Sequence, residues 1–512
     1  MRQVEPEWEK ELATFPPHPG GLPSHVIDQV KERIALEQQR SKRKFTFVFA
    51  IAAVLVLFVA AAVWQQDRVT SALSSVSHQP KQPDTEKGGV KAKTIKVLVY
   101  DMYKQLFEDH YSRAFLIQNP DYDIQVIEMP EYTRQADYDR QVADLIEKER
   151  PDVIATNLST LAKYVEEGTV LPLESFVKKD KFPLDSFYQP ILEKLRAAGD
   201  GKVYGLTPRF YPMALLYNKD MFDEYRIPYP TDQMSWEEIL KLAGRFPTKS
   251  KSGERIYGYS PAPMSTASRL IEAIGETRGL QLFDAQTGQL TVDTPAWRSI
   301  WDQVLQGYKE GWIEKPTTRG SEKKTFYYNV LAMEDPFISG HSAMSLSSPS
   351  RYGMMDTANE ENNRQKLPFA WDVVTQPVDP DHRNAARFDM DVIYTINSKS
   401  TRANLAWEMV KVISNSDNII PTSGRNNSTV PARTDAAILD DEYNYEVFYR
   451  LPEARVKIEN TGNYALDWWT FWDLSSDEID AVLDGKQTIS QALNNVQAKG
   501  ASMVFNKGDE QP

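Results

Sequence analysis

No cysteine occurs among the 512 residues. Its absence excludes disulfides, thiolate metal sites, cysteine nucleophiles and iron–sulfur ligation at once, and it suits an exported chain free of oxidisable thiols. Histidine is scarce too: His18, His25, His78, His110, His341 and His382 are scattered without metal-ligand spacing, so no metal is expected. No Walker-type phosphate loop, dinucleotide fingerprint or GxSxG elbow appears, and no cofactor is expected. Basic residues are in deficit. With 59 Lys and Arg against 72 Asp and Glu, the net charge of −13 argues against nucleic acid, whose phosphates require a basic face. Such an acidic composition leaves room for a glycosidase-like carboxylate pair, but no pair is singled out, and the chain is not expected to be an enzyme.

One long uncharged run is present. Residues 45–64, FTFVFAIAAVLVLFVAAAVW, are long enough to span a bilayer as a helix. Arg40, Lys42, Arg43 and Lys44 precede the run and Gln65, Gln66 and Asp67 follow it, which orients residues 1–44 to the cytosol and the rest outside. An uncleaved signal anchor is the preferred reading; the rival is a cleavable signal peptide, with Ala60, Ala61 and Ala62 near a cut. Ser24 can cap a helix carrying Val26, Ile27, Val30 and Ile34, either a solvated extension or a surface for a cytosolic partner. Residues 65–93 are polar and read as a flexible stalk.

From residue 94, strand and helix patterns alternate. Strands are expected over 95–100, 122–127 and 151–155, and helices over 107–118, 138–149 and 158–167. The alternation predicts an α/β fold with right-handed crossovers and a parallel-rich, doubly wound sheet. Ligands of such sheets bind beyond the carboxyl ends of the strands, which nominates Asp101, Met102 and Tyr103, then Thr156 and Asn157. Each is also open to a plain strand-to-helix capping reading.

A different pattern occupies 201–225, GKVYGLTPRFYPMALLYNKDMFDEY. A turn at Asp200-Gly201 leads to a β-prone run over 203–207; Pro208 and Pro212 then interrupt regular structure before a second apolar run over 214–217. Asn218 or Asp220 can cap the helix that follows. This stretch resembles a signature of the extracellular solute-binding proteins of ABC importers, of the family-1 type that includes sugar binders, in which it crosses the interlobe hinge. Four further stretches are similar to that family in the same order: 150–179, 337–352, 403–414 with 424–434, and 483–497. Residues 1–93 fall outside the resemblance.

The resemblance implies a two-lobed periplasmic-binding-protein-like fold that closes about a hinge over its ligand, preceded here by one transmembrane helix. Lobe 1 is expected over about 94–209 and 390–425, and lobe 2 over about 212–387 and 430–512. Crossings are expected near 209–212, near 387–391 and between Asn415 and Pro431. The implied function is capture of a ligand, an oligosaccharide, and delivery to an ABC permease. The implied ligand residues are Arg209 and Tyr211 at the first crossing, Ser347 and Ser350 in the segment 337–352, and Trp469 and Trp472 in the aromatic run 468–472. Arg387 with Asp389 and Asp391 reads equally as ligand contacts or a hinge salt bridge. The family's GGPW platform is replaced by Ser348-Pro349-Ser350, and the lipid-modified Cys of many members is missing, leaving anchorage to the apolar span. A receptor signalling through that span to a cytosolic regulator is the alternative, motivated by residues 1–44.

Overall fold

Ile95, Val97, Leu98 and Val99 bury both faces of the first strand, β1 (Lys93–Val99), and so place it inside a sheet. In the computed structural model, which describes residues 93–131, 135–261, 266–315, 332–362, 366–419, 427–436, 443–454, 462 and 464–506, β1 lies between two parallel partners. These are β2 (Tyr122–Glu128) and β3 (Val153–Thr156). A helical run over 101–118, with a wide π turn at Phe107–Ser112, makes the first crossover, and the helix Gln135–Glu149 makes the second. The sequence expectations for residues 1–92, including the helix after Ser24, the span over 45–64 and nearly all of the stalk, lie outside the described residues. Among the described residues no helix is long and apolar enough to cross a membrane.

The sheet is completed by a returning chain. Strand β11 (Ile393–Ile396) lies antiparallel beside β3, and β4 (Gly205–Leu206) pairs antiparallel with β11. Gly205 is required there: a Cβ would sit 2.6 Å from Ile393 Cγ2 and 2.8 Å from Thr395 Cγ2.

The second lobe is built on a three-stranded antiparallel sheet with β6 (Ala214–Asn218) between β7 (Met344–Ser347) and β8 (Trp371–Thr375). Alternation along β6 divides the cores: Ala214 and Leu216 join a core that runs from the first lobe through Tyr352, Met355 and Ala358 of the second, whereas Leu215 and Tyr217 face a separate core of the second lobe. Asn218 ends the strand and caps the helix Lys219–Glu224, its side chain accepting from Met221 N at 3.1 Å. Helices Trp236–Ala243, Ala267–Thr277, Pro295–Glu310, Trp468–Leu483 and Ile489–Gly500 cover the other face. Ser235 and Glu238 form a capping box on the first of them.

Between the lobes, β5 (Arg209–Tyr211), held between Pro208 and Pro212, pairs antiparallel with β10 (Asp389–Met390) and β12 (Val430–Pro431). Three separate passages of the chain thus form one small sheet. Phe210 at its centre is buried and stacks on Tyr188 at 5.2 Å, with Phe388 and Tyr449 edge-on. Residues 443–454 run across this junction. Tyr188 donates to Leu451 O and Tyr449 to Pro431 O, while Tyr352 of the second lobe donates to Asn444 O. Ala454 N donates to Glu193 of the first lobe at 2.7 Å. This segment therefore touches both lobes, where the sequence boundaries assign it to lobe 2 alone.

Candidate functional site

Where β3 ends, Asn157 caps the helix Leu158–Glu166, accepting from Thr160 N at 2.9 Å and from Ser159 Oγ at 2.8 Å. This corner faces a cleft of about 510 Å³ whose floor is the passage 387–390. Its far wall comes from the second lobe: the helix Ala267–Thr277, the loop 279–283, and Trp468 and Trp472 on the helix Trp468–Leu483. The cleft thus lies at the strand ends of an α/β sheet and across the crossing.

The far wall is an array of paired charges and aromatic rings. Arg269, Glu272 and Glu276 fall at i, i+3 and i+7 of one helix and share a face. Glu272 is buried, and its Oε2 accepts from Arg269 Nη1 at 2.6 Å and from Trp472 Nε1 at 3.1 Å. Burial pushes its carboxyl above the usual carboxylate range, and the Arg269 charge opposes this shift. The Arg269 guanidinium lies 4.3 Å from the centre of the Trp472 ring, a cation–π contact. Trp468 packs tilted on Trp472 at 5.8 Å and meets Phe283 edge-on at 6.2 Å. On the floor, Arg387 pairs with Glu276, and Lys194 of the first lobe donates to Phe388 O at 2.8 Å while lying 4.5 Å over the Phe388 ring. The whole presents flat apolar faces beside fixed donors and acceptors.

The residues nominated from sequence divide into three groups. Asn157, Arg387, Asp389 and Trp472 line the cleft. Arg209, Tyr211 and Tyr103 gather at the hinge. Arg209 is buried and directs Nε and Nη2 at Asp391 Oδ2, at 2.9 and 2.6 Å. The Tyr211 hydroxyl meets Asp391 Oδ1 at 3.3 Å and Tyr103 at 3.4 Å, and burial beside Asp391 raises the pKa of both phenols. The cleft lining includes none of the other six, among them Met102, which is exposed. Asp101 is exposed on the helical run after β1, and Thr156 is buried within β3. Ser347 is buried at the end of β7, Ser350 Oγ lies 2.9 Å from Ser348 Oγ, and Trp469 points outward.

Arg269, Glu272, Glu276, Lys194 and Phe283 were not reached from sequence. The signal the sequence offers is the helical spacing of Arg269, Glu272 and Glu276, which an ordinary solvated face shares. Among the described residues, no group of three or more His, Cys, Asp or Glu side chains is placed to hold a metal ion. A second cavity of about 750 Å³, lined in part by Asp220, Phe369, Trp371 and Tyr443, shares no residue with the cleft.

A sequence model of bacterial extracellular solute-binding proteins matches residues 110–447. The fold is similar to that of a sugar transporter from Rhizobium etli in an open conformation, at 18% identity and a TM-score of 0.55 over 80% of this chain and 99% of that one. It is similar to an extracellular solute-binding protein family 1 member from Alicyclobacillus acidocaldarius, at 14% identity and a TM-score of 0.58 over 80% and 97% of the two chains. The sugar-binding protein MalE from Xanthomonas citri aligns over the same shares, at 14% identity and a TM-score of 0.54. At these identities the likeness is one of fold.

Proposed function

The chain belongs to the family of bacterial extracellular solute-binding proteins, and on that premise we propose that it captures an oligosaccharide in the interlobe cleft and delivers it to an ABC permease. The observation that carries this reading is the pairing of Trp468, Trp472 and Phe283 with the Arg269–Glu272 and Arg387–Glu276 pairs on the cleft wall. A pyranose offers an apolar face that an indole buries at low entropic cost, and hydroxyls that planar guanidinium and carboxylate groups bind in pairs. Both glutamates are engaged by arginines, an arrangement that suits hydrogen bonding to hydroxyls rather than proton transfer. The likeness in fold to sugar-binding proteins supports the same ligand class.

Capture then requires hinge closure. The crossing sheet β5–β10–β12 is narrow, so small backbone rotations there bring Asn157 and Ser159 toward the Trp472 wall, and ligand contacts to both lobes favour the closed state. In this reading the apolar run over 45–64 holds the binding domain at the outer membrane face, beside the permease.

A thermal-shift screen of the full-length chain against neutral mono- and oligosaccharides tests the assignment. A ligand at 100 times its Kd stabilises the folded state by about 2.7 kcal/mol, a rise of several degrees. At least one oligosaccharide should produce it. A panel that leaves Tm unmoved throughout would remove the carbohydrate reading.

A further inference from the structure

Trp469 stands apart from the other described tryptophans. Trp236, Trp297, Trp301, Trp312 and Trp407 are buried and Trp371, Trp468 and Trp472 partly so, but Trp469 is 79% exposed. It is not displaced by disorder of its helix. Asp467 caps the first turn, accepting from Thr470 N at 3.3 Å and Thr470 Oγ1 at 2.6 Å, and Asp467 N donates to Met503 O at 2.9 Å. The preceding strand, Tyr464–Leu466, pairs antiparallel with Val504–Asn506. A rigid support therefore holds a large apolar ring mostly in water, with little packing gain to the fold.

Its position gives the exposure a use. Trp469 and Trp472 are three residues apart on one helix, with ring centroids 5.4 Å apart and planes at 82°. Trp472 lines the cleft and Trp469 continues the aromatic surface out of it, turned through nearly a right angle. The cleft, about 510 Å³, falls within the range of about 300–1,000 Å³ usual for small-molecule sites, and an oligomer too long for that space would extend past its mouth.

We propose that the ligand is longer than the cleft and that Trp469 is the stacking platform for the sugar ring emerging from it, a rim subsite that selects for chain length. This rests on the carbohydrate reading above. The neighbouring ring, the fixed turn and the exposed indole face together suit the flat C–H face of a pyranose. Since Trp469 is exposed, removing it leaves the fold intact.

Titration calorimetry of the full-length wild type, Trp469→Ala and Trp469→Phe with linear α-1,4- and β-1,4-linked glucose oligomers of two to six units is the test. In the series that binds, wild-type affinity should rise with length. Trp469→Ala should lose about 10-fold on the longest members, the equivalent of about 1.4 kcal/mol, and less than about twofold on the disaccharide; Trp469→Phe should recover part of the loss. Long oligomers, unlike the disaccharide, should also shield tryptophan fluorescence from acrylamide in the wild type but not in Trp469→Ala. Equal weakening at every length, or none at any, overturns the rim subsite while leaving the cleft assignment standing. If the wild type binds no member of either series, the proposal falls together with the carbohydrate reading for these sugars.

Discussion

Two arginine–carboxylate contacts, one at the crossing between the lobes and one on the cleft wall, differ in almost every respect but chemistry. Arg209–Asp391 joins two crossing strands and is shut off from water, with side-chain exposures of 5% and 1%. Arg269–Glu272 sits on the cleft wall, its carboxylate buried but its guanidinium 49% exposed and laid over Trp472. A pair with both charges desolvated is fixed, because separating it strands a charge in a low-dielectric site. A pair with one charge in water can exchange partners at little cost, which a binding surface needs. Burial, not residue type, separates the pair at the crossing from the pair on the cleft wall.

The largest effect expected from breaking this contrast is at the hinge. Asp391→Ala leaves the Arg209 guanidinium buried without its carboxylate and should cost about 3–5 kcal/mol in denaturant unfolding, while Arg209→Met with Asp391→Leu should restore much of it. A loss below about 1 kcal/mol would place the two pairs in one class.

Trp472→Ala tests the other side. It removes the aromatic wall and a donor to Glu272, and should weaken oligosaccharide binding about 30-fold, near 2 kcal/mol, with a much smaller loss of stability. Affinity measured by calorimetry and stability by urea unfolding should therefore separate in the two variants: Asp391→Ala lowers mainly stability, Trp472→Ala mainly affinity.

Smaller again is the effect of Arg387→Ala. Its pair with Glu276 is partly exposed, at 37% and 27%, so the stability change should stay within about 1 kcal/mol. Binding should fall several-fold, since the variant removes a donor from the cleft floor. Unchanged affinity would reassign Arg387 to the surface.

The smallest effect is a pH dependence. The Glu272 carboxyl has a raised pKa in the folded state, so the folded chain holds a proton there that the unfolded chain has already released. Its contribution to stability is complete at pH below the ordinary carboxylate range and is lost as pH rises through the folded value. The Tm of wild type minus that of Glu272→Gln should therefore decline from about pH 4 toward neutrality. A difference that rises with pH would mean that Arg269 overrides burial.

How much of this was legible in the sequence follows from the same contrast. The alternation after residue 94, the proline-bounded passage at Arg209 and the cap at Asn218 are local patterns, and each has its element in the fold. Trp472 was reached through the resemblance, as part of the aromatic run 468–472, and it lines the cleft. Arg209 was read as facing the ligand because nothing local names its partner. Asp391 lies 182 residues away and is brought alongside by the antiparallel register of β10 on β5, which sets Met390 opposite Phe210. Arg269, Glu272 and Glu276 escaped for the converse reason: charges at i, i+3 and i+7 match an ordinary solvated helix face until packing of that helix on Trp468–Leu483 sets the face beside Trp472. Exposed Trp469 and cleft-lining Trp472 differ by one helical turn, a difference that spacing alone does not reveal.

The measurement that most directly tests the central claim is hydrogen–deuterium exchange of the full-length chain, with and without the oligosaccharide giving the largest thermal shift. Protection is expected together at 157–160, 269–283, 387–390 and 468–472, segments of both lobes and of the floor between them. Protection confined to one lobe, or centred on the cavity lined by Phe369 and Trp371, would contradict capture between the lobes.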